Sequence, residues 1–504
     1  MSIIKRIFKN LAVLALIGGA VGCSSPTGSY QSFNEYKKPI YGKLASKTVA
    51  YEGIARNPVI VVHGFLGSKL VDMKTGKNIW GSFKGSDNFG SFPSEEVRAF
   101  AHPMGIGKPL KELQSSAKPY GILDAVEVKF LGMDFRIDAY NSLINILKNA
   151  GYCQEGKPLP KNKSYYNLFL FYYDWRRDLP ENAARLQEYI QSKREYIQKI
   201  YKKRYGINKY DVQFDVIAHS MGGLLARYYL RYGNRDLPKN GSLPKISWYG
   251  SKFIDKLLIV GTPNAGYLDT VIEMVKGLQV QPGTPTIPPG IVGTFPTYYQ
   301  MMPPASTKSV IIAGDATEAG VDIFDPQVWI DMKWGLADPS QDSILKILLP
   351  NAKTPEERRK IALDHQAKCL KRAKQFTEAM KVKATPPDDV ALFLFEGDAV
   401  LTSRQAEANK ATGEIKVKRY EPGDGKILVT SAIFDERVGQ PWVPYLVSPI
   451  TWTAVYRLPA AHMGITRSEF FADNMTFCLL VTPTKAQAVR KKYFRRFYEM
   501  DKKK

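Results

Sequence analysis

A serine hydroxyl becomes a useful nucleophile only where a base takes its proton and a third group orients that base. One serine in this chain stands where such a set could be assembled. Phe214-Asp215-Val216-Ile217-Ala218-His219 is an apolar, β-branched run that stops at Ser220. Met221-Gly222-Gly223 then leads into the helix-periodic stretch Leu224 to Leu230. A strand, tight turn and helix in that order place the hydroxyl on a strained backbone at the strand tip, above a helix N-terminus. The G-x-S-x-G pattern holds except at its first position, where Ala218 is also small, and with Gly222 it lets strand and helix approach closely. A serine that merely ends a strand and caps a helix is the bland alternative. The flanks and the adjacent His219 favour a nucleophile.

The base must be one of five histidines, His63, His102, His219, His365 and His462. Around a turn of this kind the chain order is nucleophile, acid, histidine, so only His365 and His462 qualify. His365 lies in a highly charged helix, which predicts a surface position. His462 lies in Leu458-Pro459-Ala460-Ala461-His462-Met463-Gly464, just past the last strand, and is the expected base. Two carboxylates compete to orient it. Asp398 directly follows a late strand; Asp424 sits in the glycine-flanked turn Gly423-Asp424-Gly425. Position favours the first and the glycines favour the second. Two N–H donors are needed for an oxyanion. Met221, after the nucleophile, and Phe65, after His63-Gly64, are the expected pair.

The elements that would position these groups form an alternating series. Pro58–Val62, Leu168–Tyr173, Phe214–His219, Lys256–Val260, Val390–Phe395 and Thr451–Leu458 read as strands. Continuous apolar runs such as Pro58–Val62, Leu168–Tyr173 and Lys256–Val260 predict strands buried on both faces. Asp134–Ala150 reads as a helix, and Asp178 with Glu181 as a capping box opening another. Strand and helix in alternation define the α/β class, a mostly parallel sheet with helices on both faces. Residues 72–125 read as an excursion from it. From about 267 to 389 the alternation lapses, as in a cap or lid insertion. Within it, Pro- and Gly-rich Gln281–Gly293 reads as a mobile lid rather than a core element, and Thr354 with Glu357 opens a long helix through Met380. Ile415–Tyr420 reads as a hairpin arm.

The 504 residues, 44% hydrophobic, can bury a large core. A formal charge of +23, from 71 Lys+Arg against 48 Asp+Glu, suits an anionic partner. Without a nucleic-acid motif, a membrane is the expected partner and nucleic acid is not. The four cysteines have no metal-site spacing, and no metal or organic cofactor is implied. Lys5, Arg6 and Lys9 precede an apolar stretch Leu11–Ile17 and a small-residue run ending at Cys23, which reads as a signal peptide over 1–22 with Cys23 as the lipidated first residue. With Cys23 so used, at most one disulfide remains. Residues 23–50 would be a tether, 51–484 the main domain, and Lys485–Lys504 a basic amphipathic helix, either lying on a membrane or docked by its aromatic residues. The expected location is the bacterial cell envelope, lipid-anchored in the outer membrane and facing the periplasm or the outside.

Taken together, Pro58 to Leu70, Tyr173-Asp174-Trp175-Arg176, His219 to Gly223, Thr294 to Pro303, Gly423-Asp424-Gly425 and Ala461-His462-Met463 resemble the lecithin:cholesterol acyltransferase-like family of α/β-hydrolases, which includes lysosomal phospholipases. The resemblance implies an α/β-hydrolase fold, Asp424 as the acid, and Phe65 and Met221 as oxyanion donors. It implies a serine esterase or lipase forming an acyl-enzyme on a lipid or other acyl ester, with release to water or to an alcohol. A histidine stands at position 63 where the family usually has proline, and the family's lid disulfide has no counterpart. The alternatives are a thioesterase or other acyl hydrolase on the same scaffold, and a binding lipoprotein that uses the fold without catalysis.

Overall fold

Six apolar segments pair side by side into one sheet, numbered here in chain order. They are β1 (Val59–Val62), β2 (Leu168–Phe171), β3 (Phe214–His219), β4 (Ile254–Val260), β5 (Ala391–Gly397) and β6 (Ala454–Leu458). Their order is β6-β5-β4-β3-β1-β2, and every neighbouring pair is parallel. The computed structural model describes residues 49–81, 93–123, 125–130, 133–138, 140–280 and 286–502. The expected signal peptide, Cys23 and most of the expected tether lie outside these residues.

The sheet is covered on both sides, so β1 to β5 are almost wholly buried, whereas the edge strand β6 leaves Val455 and Arg457 exposed. Successive residues of β1 alternate between two cores. Ile60 and Val62 join the core beneath the helices Leu179–Tyr205 and Met221–Tyr232. Val59 and Val61 join Leu143, Leu147, Phe471 and Met475 from the helices Asn141–Asn149 and Glu469–Leu480. From β1 the chain runs outward to β2, then returns to the other side of β1 with β3. The loops after β1 and β3 therefore diverge at the carboxyl ends of the strands, where α/β sheets leave a crevice.

Several local expectations are corrected. The first part of Asp134–Ala150 is not helical: Met133–Asp138 is a strand paired with Ala125–Phe130, and the helix starts at Asn141. Asp134-Phe135-Arg136-Ile137-Asp138 alternates polar and apolar residues, the period of a strand. Asp178 does cap the Leu179–Tyr205 helix by position, but its side chain makes no capping bond. Its carboxylate instead accepts from Gln300 Nε2 at 2.6 Å and Arg372 at 2.6 Å, while Gln300 Oε1 takes the Leu179 amide at 2.9 Å. The helix start is thus satisfied from the cap insertion, where an amide and a guanidinium displace the local box. Glu181 turns to Arg177 and Arg185.

The insertion itself is packed. Residues 281–285 of the expected lid lie outside the described residues, but from Thr286 onward the Pro-rich stretch is core: Ile287, Ile291 and Val292 are buried, and Pro289 opens a short helix. The long helix runs Pro355–Lys381 with a capping box of Thr354 and Glu357. His365 lies inside it with no exposure at all, donating from Nε2 to the Thr294 carbonyl at 3.0 Å, so the expected surface position is wrong. The described cysteines Cys153, Cys369 and Cys478 are all free and buried.

The basic tail is two helices, Lys485–Tyr493 and Arg495–Lys502. Phe494 packs on Tyr210 and Phe497 on Tyr205, and buried Asp501 accepts from Tyr205 Oη at 2.8 Å and the Ile54 amide at 3.3 Å. Val489 and Tyr493 stay exposed, so the expected single aromatic face is divided between body and solvent. No helix among the described residues is long and apolar enough to cross a membrane.

Asp178→Ala removes the acceptor of two cap residues and leaves the Arg372 guanidinium paired with Asp236, so unfolding in urea should show a loss of about 2 kcal/mol. Glu181→Ala removes one partner from buried Arg177, which keeps the Leu113 and Lys111 carbonyls, and one from half-exposed Arg185, and should cost about 1 kcal/mol. Equal losses would refute this account of how the cap is held.

Candidate active site

Ser220 has φ 54 and ψ −130, a conformation that side chains other than glycine rarely adopt. The sequence produces it by ending β3 one residue before a helix that must pack back under the sheet. Its amide donates to the Val260 carbonyl of β4 at 2.8 Å. Its carbonyl accepts from Thr262 Oγ1 at 2.9 Å and from the Gly223 amide at 2.9 Å. The two glycines that follow are steric necessities. A Cβ on Gly222 would lie 2.3 Å from the His63 carbonyl oxygen, and one on Gly223 would lie 2.0 Å from Thr262 Oγ1.

His462 begins a short 3-10 turn, His462–Arg467, after β6. Its Nε2 is 3.1 Å from Ser220 Oγ, and its Nδ1 is 2.7 Å from Asp424 Oδ2. A carboxylate facing Nδ1 keeps the proton there and leaves Nε2 free to accept from the hydroxyl. Asp424 is buried, and its other oxygen accepts from the amides of Lys426 at 2.9 Å and Ile427 at 2.6 Å. Its own carbonyl accepts the His462 amide at 2.7 Å. The two residues are therefore tied by backbone as well as by side chain. Gly261, with φ 52, lies directly beneath: a Cβ there would come 3.3 Å from His462 Nδ1 and 3.4 Å from Asp424 Oδ2.

Asp398, the other candidate acid, follows β5 and places its amide on the Leu458 carbonyl at 3.1 Å; the carboxylate at His462 is that of Asp424. Both lie near the same end of β5. The hairpin Val400–Ala408 and Ile415–Gly423 leaves that end and returns to it, so Asp424 bridges to Val400 and its Cβ would meet a methyl on Gly397 at 2.9 Å.

The loop after β1 lies against the serine. A Cβ on Gly64 would come 2.7 Å from Ser220 Cβ. The amides of Phe65 and Met221 have no acceptor among the described residues. The Phe65 ring is held between Trp175 at 4.9 Å and Tyr298 at 4.9 Å, so the Tyr173–Arg176 and Thr294–Pro303 segments converge on it. Trp175 is fixed in turn by Nε1–H donating to the Ser68 carbonyl at 3.1 Å and by its carbonyl accepting from Thr297 Oγ1 at 2.7 Å. Sequence reasoning missed Tyr140, which accepts from the Gly64 amide at 2.7 Å and lies 3.0 Å from His219 Nδ1. No spacing rule links it to the turn. Among the described residues no cluster of His, Cys, Asp or Glu is arranged to hold a metal ion.

A six-stranded parallel sheet with a strained serine after a central strand, a carboxylate after β5 and a histidine after β6 defines the α/β-hydrolase fold. Residues 126–338 match the family model of lecithin:cholesterol acyltransferase. That match includes Ser220 and the Tyr173–Arg176 segment and stops short of Asp424 and His462. Solved structures to which the chain is similar include the Tle4–Tli4 complex (TM-score 0.49, 12% identity, covering 84% of this chain and 99% of that chain). They also include lipase 1 from Pelosinus fermentans (TM-score 0.33, 11% identity, 85% and 100%) and the mature Bacillus licheniformis lipase BlEst2 (TM-score 0.27, 12% identity, 85% and 93%). No curated protein matches the chain.

Four of the five histidines are buried and held neutral. Burial pushes His63 and His365 down to about 4, and burial with the neighbouring His462 pushes His219 down to about 3; burial and nearby His365 also place His102 well below its usual value. In the unfolded chain these rings return to about 6.5. Below that pH the unfolded state binds more protons, so stability is full above about 6.5 and is lost as pH falls towards 4. His365→Gln should reduce the slope of unfolding free energy between pH 6 and 4.5 by about 1.2 kcal/mol per pH unit. An unchanged slope would contradict the assignment.

Proposed function

We propose that this chain is a serine acyl hydrolase or O-acyltransferase of the lipase and phospholipase type. The observation that carries the proposal is the hydrogen-bonded series Ser220–His462–Asp424, at 3.1 and 2.7 Å. His462 Nε2 takes the Ser220 proton as Oγ attacks the ester carbonyl carbon. The resulting oxyanion accepts from the Phe65 and Met221 amides, and Asp424 stabilises the imidazolium. When the tetrahedral intermediate collapses, the ester's alkoxy oxygen takes the proton from His462 and leaves as an alcohol. An acyl group remains on Ser220. Water, or the hydroxyl of a second lipid, then gives its proton to His462 and releases the acyl group. The machinery draws on no metal or organic cofactor.

A lipid ester is the proposed substrate, supported by the family match and by the basic balance of the chain. Cys23 would carry the lipid anchor in a bacterial envelope, and the basic tail would face the same surface. A binding protein without catalysis would not need a base within hydrogen-bond reach of the partly buried Ser220 hydroxyl. A thioester substrate uses the same groups, so comparison of matched oxygen esters and thioesters separates those two chemistries.

Ser220→Ala should lower turnover of a p-nitrophenyl ester by on the order of a million-fold, and Asp424→Asn by about ten-thousand-fold, with folding unchanged by circular dichroism. Lipid profiling of membranes incubated with wild type and Ser220→Ala should reveal lysolipid or acyl-transfer products from the wild type alone. Activity retained by Ser220→Ala on every ester the wild type cleaves would end this proposal. Cys23→Ser should move the protein from the membrane fraction to the soluble one.

A further inference from the structure

The amide of Phe65 can stabilise an oxyanion only if its peptide is held in one orientation, and the neighbouring polar groups account for how that is done. In the His63–Gly64 peptide, the His63 carbonyl accepts from Tyr173 Oη at 2.8 Å and the Gly64 amide donates to Tyr140 Oη at 2.7 Å. In the next peptide, the Gly64 carbonyl accepts from His63 Nδ1 at 2.7 Å and from the Gly67 amide at 3.2 Å. His63 Nε2 accepts the Tyr173 amide at 3.2 Å, so the ring proton is on Nδ1 and serves that carbonyl. The imidazole is stacked on the Tyr173 ring, with centroids 4.2 Å apart and planes 7° from parallel. All described peptides are trans, and in a trans peptide N–H and C=O point in opposite directions. Fixing the Gly64 carbonyl on His63 therefore turns the Phe65 amide away from His63.

We propose that Tyr140 and Tyr173 are positioning residues for the oxyanion site: together they grip the His63–Gly64 peptide by its amide and its carbonyl and thereby aim the Phe65 amide. This rests on the serine mechanism proposed above. Tyr140 does a second job. Having accepted from Gly64, its hydroxyl donates to His219 Nδ1 at 3.0 Å, which ties the loop after β1 to the residue preceding the nucleophile. The donor and the attacking oxygen are thus held to each other through one phenol. Both phenols are buried, and burial raises both above their ordinary range, so they act as neutral groups. Gly64 leaves no slack for error, because even a methyl there would collide with Ser220. Neither tyrosine needs to touch substrate. Each acts through the loop backbone.

The test is steady-state kinetics on a soluble ester for wild type, Tyr140→Phe and Tyr173→Phe, with the affinity of an alkylboronic acid as a mimic of the tetrahedral intermediate. Tyr205→Phe is the control, since it removes a buried tyrosine hydroxyl that bonds to Asp501 of the C-terminal helix. Ser220→Ala is measured alongside. Each of the two loop variants should lose kcat by about 10- to 100-fold while KM stays within about twofold. Boronate affinity should fall by the same factor as kcat. Tyr205→Phe should lower the melting temperature but keep kcat. If Ser220→Ala is inactive and both loop variants keep wild-type kcat, the positioning role is wrong and the serine mechanism stands. If Ser220→Ala remains active, the mechanism fails and the positioning role with it. Should Tyr140→Phe not fold, Tyr173→Phe decides the matter, because it releases the same peptide from the carbonyl side.

Discussion

Ser220 occupies a backbone conformation that costs of order 1–3 kcal/mol, and much of the surrounding structure serves to hold it there. The cost is borne by hydrogen bonds to rigid neighbours: the amide on Val260, and the carbonyl on Thr262 and Gly223. These partners lie at the end of β4 or in the helix beneath, both parts of a sheet covered on each side. Gly222 and Gly223 allow that helix to approach until no Cβ would fit. A looser sheet end would let the serine relax towards ordinary φ and carry the hydroxyl away from His462.

The other groups reach the same point from distant segments by one device, a loop leaving the carboxyl end of a parallel strand. Gly64 and Phe65 follow β1, Gly261 follows β4, Asp424 returns to the end of β5 through a hairpin, and His462 follows β6. The cap insertion is part of this construction. Tyr298 packs on Phe65, Gln300 supplies the missing acceptor at the start of the Leu179–Tyr205 helix, and His365 buries itself on the Thr294 carbonyl. The cap therefore supports the wall beside the serine as well as covering the body.

What was legible in the sequence was local. The β3–Ser220–helix unit spans a few consecutive residues, and buried parallel strands announce themselves as unbroken apolar runs. His462 could be reached by chain order. Asp398 and Asp424 could not be separated by position, because a hairpin brings the second back to the strand end where the first begins. Tyr140 and Tyr173 were not legible as a pair: each phenol takes its role from a backbone group far away in sequence. His365 was misread from the charge of its helix, although Ala362, His365, Cys369, Ala373 and Phe376 mark one buried face at helical spacing. Asp178 lost its expected box to Gln300 and Arg372, partners that only the folded cap supplies.

The central claim is that acyl transfer passes through Ser220 Oγ. Rapid acid quench of the wild-type protein during turnover of a slowly deacylating ester, followed by peptide mass spectrometry, tests it most directly. The account predicts an added acyl mass on the peptide containing Ser220, formed and lost at rates matching turnover. Turnover with no adduct there, or with the acyl group on another residue at a competent rate, would contradict it.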